Sequence, residues 1–236
     1  MVTLSAGQQY TYPEAPAENV AEKAHLFILS GQSNMARLDP TRTFQPRILK
    51  EYGEDSVIIV KDAMGAKPIH RWYKEWVSVQ GHAPEGRGEL YDRLMGQLQP
   101  AIQGRDLQAI TFLWMQGEQD AAVNQVPVYE AALDGLMAQL RADLGRDDIY
   151  LVIGRLSDYS LDSGKHPEWQ TMRDLQVRYA DADASRAWVN TDDLNTMVDK
   201  DGKSREDVHY TKEGYDTFGE RLAEKAIALI QANTQQ

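Results

Sequence analysis

Five short apolar runs, separated by longer stretches with helical periodicity, constrain this chain more than anything else in it. The runs are His25–Ser30, Ser56–Asp62, Ala109–Met115, Ile149–Leu156 and Ala187–Thr191. Each is rich in Val, Ile, Leu or aromatic residues, as expected of a strand buried on both faces. Between and after them, apolar residues recur three or four apart. Leu90, Leu94, Leu98 and Ile102 line one such stretch, and Leu133, Leu136, Met137, Leu140 and Leu144 fall within Val128–Leu144. Trp169–Tyr179 and Lys212–Ile230 follow the same rule. Alternating strands and helices bury their apolar surfaces as a parallel sheet covered on both sides. The expected fold class is therefore α/β: a three-layer α/β/α sandwich, flavodoxin-like, with about five parallel strands. Such sheets bind ligands in a crevice at the C-terminal strand ends.

A length of 236 residues with 42% hydrophobic content suits one domain with a sizeable core. The expected division is an N-terminal arm over 1–24, where Pro13 and Pro16 interrupt any regular element, and a domain over 25–236. The formal net charge is -11, with Lys and Arg scattered rather than clustered. That argues against a nucleic-acid backbone or an anionic membrane surface as partner. No apolar run approaches the roughly 20 residues that span a bilayer, so membrane insertion is not expected. Met1–Lys23 carries no signal-peptide apolar core. Two compartments stay open: the cytoplasm, or the outside for a mature secreted or periplasmic form whose signal is absent from this sequence. With no cysteine, the chain has no disulfide, Cys-based zinc site or thiol nucleophile.

Chemistry enters where the strand-like runs stop. The first ends in Ser30-Gly31-Gln32-Ser33-Asn34-Met35, a turn that places Ser33 at the sheet edge and at the start of a helix. A serine there is either a helix cap or a nucleophile. The third ends in Met115-Gln116-Gly117-Glu118-Gln119-Asp120. Glu206-Asp207-Val208-His209-Tyr210-Thr211 then leads into the last amphipathic run. A carboxylate shortly before a histidine suits an acid–base pair, in which the acid orients Nδ1 and leaves Nε2 to take a serine proton. The other four histidines, His25, His70, His82 and His166, lack this setting, although His70 and His82 lie in loops that could reach the cleft.

Taken together and in this order, the three blocks resemble those of the SGNH-type carbohydrate esterases. The nearest branch is sialate O-acetylesterase-like and acetylxylan esterase-like, and the resemblance runs over roughly residues 25 to 230. It implies a serine esterase that removes O-acetyl groups from a carbohydrate through an acyl-enzyme, with no cofactor and no metal. Ser33 would be the nucleophile and His209 the base. The family places an Asp three residues before the histidine. Glu206 holds that position here, with Asp207 as the alternative acid. The resemblance also assigns the oxyanion hole to the Ser33 N–H, the N–H of Gly65 after the second strand, and the Gln116 side-chain amide, which stands where the wider superfamily has an Asn. Glu118 and Asp120 are expected to hold the turn, and the neighbouring carboxylate to raise the His209 midpoint. Trp72, Tyr73 and Trp76 are expected to divide between core packing and sugar stacking. The implied partner is an acetylated carbohydrate; the oligomeric state is open. Two alternatives remain at this level: a lipid or thioester hydrolase with the same machinery, and a non-catalytic carbohydrate-binding protein on the same fold.

Overall fold

All five apolar runs are strands in the computed structural model, which describes residues 22–159, 161, 164–198 and 200–234. β1 (Glu22–Gly31), β2 (Val57–Ala63), β3 (Arg105–Met115), β4 (Ile149–Gly154) and β5 (Arg186–Val189) form one sheet in the order β2-β1-β3-β4-β5. Every pairing in it is parallel. This is the flavodoxin-like order, whose topological switch point lies between β1 and β3. β1 starts earlier than the apolar pattern suggests: Glu22, Lys23 and Ala24 pair with Arg105, Asp106 and Leu107 ahead of a register shift. The last residues of the expected arm over 1–24 thus belong to the sheet, and residues 1–21 lie outside the described residues.

The central strands match their sequence pattern. β3 is buried continuously from Ala109 to Met115, and β4 is buried at all but Tyr150. β2 departs from it, with buried and half-buried residues alternating. It is an edge strand, paired with β1 along one side.

Among the described residues seven α-helices accompany the strands: α1 (Ser33–Arg37), α2 (Phe44–Tyr52), α3 (Glu89–Ile102), α4 (Glu118–Ala122), α5 (Val126–Leu144), α6 (Trp169–Asp181) and α7 (Lys212–Thr234). The four longest are those the periodicity predicts. α2 packs against α7. α3 and α5 are joined by the Tyr91 hydroxyl donating to Asp143 at 2.7 Å, and α5 and α6 by the Tyr179 hydroxyl donating to Asp134 at 2.6 Å. Phe27, Phe112, Leu113, Leu133, Val152 and Phe218 are among the side chains buried between these layers, each contributing on the order of 1.5–3 kcal/mol of transfer free energy. A two-stranded antiparallel ribbon, β6 (Thr196–Val198) with β7 (Ser204–Glu206), stands before the histidine block. No described helix is long and apolar enough to cross a membrane.

Candidate active site

The site begins with a glycine. Gly31 has φ +137°, and a Cβ on it would lie 2.0 Å from the Met115 carbonyl oxygen. Only glycine lets β1 turn this tightly against the end of β3. The Gln32 N–H donates to that same carbonyl at 2.8 Å, and the Met64 N–H donates to the Gly31 carbonyl at 3.0 Å. The C-terminal ends of β1, β2 and β3 are thereby stitched together, and Ser33 opens α1 directly above them. The Lys61 ammonium donates to the carbonyls of Ala36 at 2.9 Å and Leu38 at 2.5 Å, which satisfies the far end of that short helix.

The histidine block is brought to the same edge by backbone and side-chain anchors. The Asp207 N–H donates to the Asn195 carbonyl at 3.2 Å and the Thr211 N–H to the Leu194 carbonyl at 3.0 Å. Residues 190–195 are themselves held by Asp192, whose carboxylate accepts from the buried Arg173 at 2.7 Å and from Arg155 at 2.5 Å. Asn34 is the junction of all three motifs. Its Nδ2 donates to Glu118 Oε1 at 3.2 Å and to the Val208 carbonyl at 3.0 Å, while its Oδ1 accepts from the Tyr215 hydroxyl at 2.9 Å. The sequence shows Asn34 as part of a motif but gives no sign of this role, because its three partners lie 84, 174 and 181 residues away.

His209 Nδ1 lies 3.3 Å from Asp207 Oδ1, and that oxygen also accepts the His209 backbone N–H at 3.0 Å. Asp207 is thus the carboxylate at the Nδ1 edge. Glu206, the acid favoured by the three-residue offset, closes β7 with its backbone opposite Thr196, and its side chain lies outside the described residues. The backbone N–H of His209 is the largest influence holding Asp207 below the usual carboxylate range. The pKa of His209 lies below the ordinary imidazole value, chiefly through burial and then the positive charge of Arg37. Asp207 opposes both but does not outweigh them. This corrects the expectation that the neighbouring carboxylate raises the midpoint.

Ser33 and His209 line one open cleft of about 380 Å³, together with Gln32, Gly65 and Glu118. A Cβ at Gly65 would lie 3.5 Å from Ser33 Cβ, so the Gly65 backbone runs alongside the serine. Tyr159, His166 and Trp169 complete the lining. Trp169 is fixed by its Nε1–H donating to the Ser157 carbonyl at 2.7 Å, and Tyr159 meets it edge-on at 5.8 Å between ring centroids. The sequence marks Trp169 only as the start of a helical run and His166 only as a histidine outside the catalytic setting; the signal for the cleft is their place after the fourth strand, at the same sheet edge as Ser33. Of the cluster that was singled out, Trp72 is 0% and Trp76 4% exposed. Trp72 packs edge-on against Trp114 in the core, while Trp76, almost wholly covered, borders a neighbouring cavity. His70 and His82 line a neighbouring cavity instead of the Ser33 cleft.

Gln116 is fully buried and does not line the cleft. Its Nε2 donates to Asp120 Oδ2 at 2.5 Å and to the Lys67 carbonyl at 3.1 Å, with Gln32 Oε1 a third acceptor at 3.3 Å. Its backbone carbonyl accepts from the Tyr129 hydroxyl at 3.0 Å and from Gln176 Nε2 at 2.9 Å. Asp120 Oδ2 also accepts the Ile69 N–H at 2.9 Å. Gln116 and Asp120 therefore grip the turn 65–69 from beneath. Burial pushes both the Glu118 and Asp120 carboxyls up to about 7. Among the described residues no three His, Cys, Asp or Glu side chains are grouped to hold a metal ion.

No curated protein matches the sequence. A protein from Arabidopsis thaliana superposes with a TM-score of 0.63 at 18% identity, over 87% of this chain and 98% of that one. A carbohydrate acetylesterase from Xanthomonas citri also superposes at 0.63, with 15% identity over 88% of this chain and 57% of the other. For NanS the TM-score is 0.60 at 12% identity, over 92% and 99%. These similarities establish the fold. The model of the family described as carbohydrate esterase, sialic acid-specific acetylesterase matches residues 36–228, most of the chain. The chain belongs to that family of carbohydrate esterases and is a carboxylic ester hydrolase.

Proposed function

We propose that the protein removes O-acetyl groups from a carbohydrate by a serine mechanism with Ser33, His209 and Asp207 as its working residues. The observation that carries this is the convergence of Ser33, Gly65 and His209 on one cleft, with Asp207 3.3 Å from the histidine's far nitrogen. Serine is a weak nucleophile until a base takes its proton. His209 supplies that base, and Asp207 holds the Nδ1–H tautomer so that Nε2 is free to accept. Ser33 Oγ attacks the acetyl carbonyl, and the oxygen's developing charge falls to the N–H groups of Ser33 and Gly65. His209 then protonates the departing sugar hydroxyl. Water attacks the acetyl-serine by the reverse route, releasing acetate and restoring Ser33.

Gln116 takes a positioning role in this scheme. Both of its amide hydrogens are already given to nearer acceptors, Asp120 and the Lys67 carbonyl. Through them it fixes the turn that presents Gly65. The aromatic edges of Tyr159 and His166 offer the sugar ring an apolar face. The test is hydrolysis of p-nitrophenyl acetate and of O-acetylated sugars by pure protein. Ser33→Ala is expected to lose about 10⁶-fold, the scale of triad knockouts, with an unchanged circular dichroism spectrum. Near-wild-type turnover by that variant would remove Ser33 from the mechanism.

A further inference from the structure

A second cavity of about 280 Å³ lies beside the catalytic cleft. Their linings come within one or two residues of each other in sequence at two places. On one side Ala66 lines the cleft and Pro68 the second cavity; on the other Ala122 lines the cleft and Val123 the second cavity. Adjacent Cα atoms are about 3.8 Å apart, so the boundary is one or two residues wide on both sides.

The second cavity is built, and its chemistry is distinctive. Its outer wall is the turn 78–82, closed by the Ser78 N–H donating to the His82 carbonyl at 2.9 Å and the His82 N–H donating to Ser78 Oγ at 3.0 Å. Gln125 fastens this wall to the start of α5, its Oε1 accepting the Val79 N–H at 3.0 Å. His70 stacks at a tilt on Trp76, with 5.1 Å between ring centroids. Val77, Val79 and Val123 are 45–46% exposed, an apolar fringe at and beside the rim. Among the described residues, no carboxylate, Lys or Arg lines the cavity, although the chain carries 25 Lys and Arg and 36 Asp and Glu residues. Burial, with Arg71 and Arg87 nearby, keeps the His70 pKa below the usual imidazole value, which favours its neutral form. Ring faces, proline and valine side chains together with neutral amides, hydroxyl and imidazole match a pyranose, which has apolar C–H faces and a girdle of hydroxyls. The lining itself offers an ionised group no direct counter-charge.

We infer that this cavity is a second sugar subsite, which receives a neutral residue adjoining the acetylated one, so that the preferred substrate is an oligosaccharide or longer glycan. The inference rests on the esterase reading of the Ser33 cleft and deepens it.

The test compares three substrates: p-nitrophenyl acetate, which needs only the Ser33 cleft; an O-acetylated methyl glycoside of a neutral sugar; and the O-acetylated oligosaccharide of that sugar. The variant is the double substitution Gln80→Ala with His82→Ala, both at exposed positions outside the catalytic cleft. The oligosaccharide is expected to show kcat/KM about tenfold above the monosaccharide, the scale of one or two added hydrogen bonds. The double variant should lose that advantage through KM and keep its p-nitrophenyl acetate rate. Equal kcat/KM for the two sugars, or an advantage that survives the double substitution, overturns the subsite and leaves the esterase intact. Absence of turnover on all three substrates overturns the esterase reading, and the subsite with it.

Discussion

At the residue scale the decisive question is which acid serves His209. Asp207 touches both the backbone N–H and Nδ1 of the histidine. Asp207→Asn should therefore lose activity heavily, toward the roughly 10⁴-fold precedent for a triad acid, because an amide supports the wrong tautomer. Glu206→Gln should keep most of its rate. The reverse ranking in steady-state kinetics would transfer the role to Glu206. The sequence could not make this choice. An offset of two or three residues is decided by how the turn after β7 closes, and that turn depends on Asn195 accepting the Asp207 N–H, a contact spanning the ribbon. The proposed base stands out in the sequence, since His209 alone among five histidines directly follows a carboxylate pair and precedes a long amphipathic helix. Its titration has a definite sign. With the folded pKa below 6.5, kcat/KM should rise with pH and level off before neutrality. A midpoint above 6.5 in the free-enzyme profile would contradict the dominance of burial and Arg37 over Asp207.

At the scale of elements, the sequence carried the sheet almost whole and the connections poorly. Central strands and long helices write their burial into local periodicity, so the runs at Phe112–Met115 and Leu133–Leu144 could be read directly. α1 and α4 have five residues each, too short for a period to register. β6 and β7 are short, largely exposed and paired only with each other, so no apolar signal marks them. What holds these short elements is long-range and polar, above all Asn34. Asn34→Ala removes the donor to Glu118 and Val208 and the acceptor of Tyr215 at once. Leaving several buried groups without partners should cost about 2–4 kcal/mol. Because the lost ties hold the His209 block to α1, kcat should fall as well even where the variant is folded. Urea unfolding and kinetics on the same preparation check both parts; a variant of wild-type stability and rate would show that the three motifs are held by other means. Gly31 is the backbone counterpart. Gly31→Ala places a methyl group 2.0 Å from the Met115 carbonyl at a φ of +137°, and is expected to destabilise by at least about 2 kcal/mol.

At the scale of the whole molecule, the site is founded on two buried acids. Glu118 and Asp120 each have one carboxyl oxygen in hydrogen bonds and one buried without a partner among the described residues. Burial raises both to about 7, well above the unfolded values near 4. The folded state therefore holds protons that the unfolded state has released, and the contribution of these groups is full below about pH 4 and is lost as pH rises through about 7. The buried histidines act in the opposite sense. His25, His70 and His209 all have lowered pKa values, so each adds stability as pH rises toward about 6.5, and the gain levels off above it. The two trends overlap, and the pH dependence of the wild type alone cannot separate them. Asp120→Asn can. The amide keeps an acceptor for the Ile69 N–H and Gln116 while removing the titration. The stability of Asp120→Asn minus that of wild type should climb with pH between about 4 and 7, by up to about 1.4 kcal/mol per unit, and flatten above that. The histidine contributions cancel in this difference, as does the self-repulsion of a chain with net charge -11 to the extent of one charge. Guanidinium unfolding at a series of pH values gives the curve directly. A flat difference would mean that Asp120 is ionised in the folded protein throughout, and that Gln116 and the Ile69 N–H stabilise a buried carboxylate more strongly than its burial opposes it.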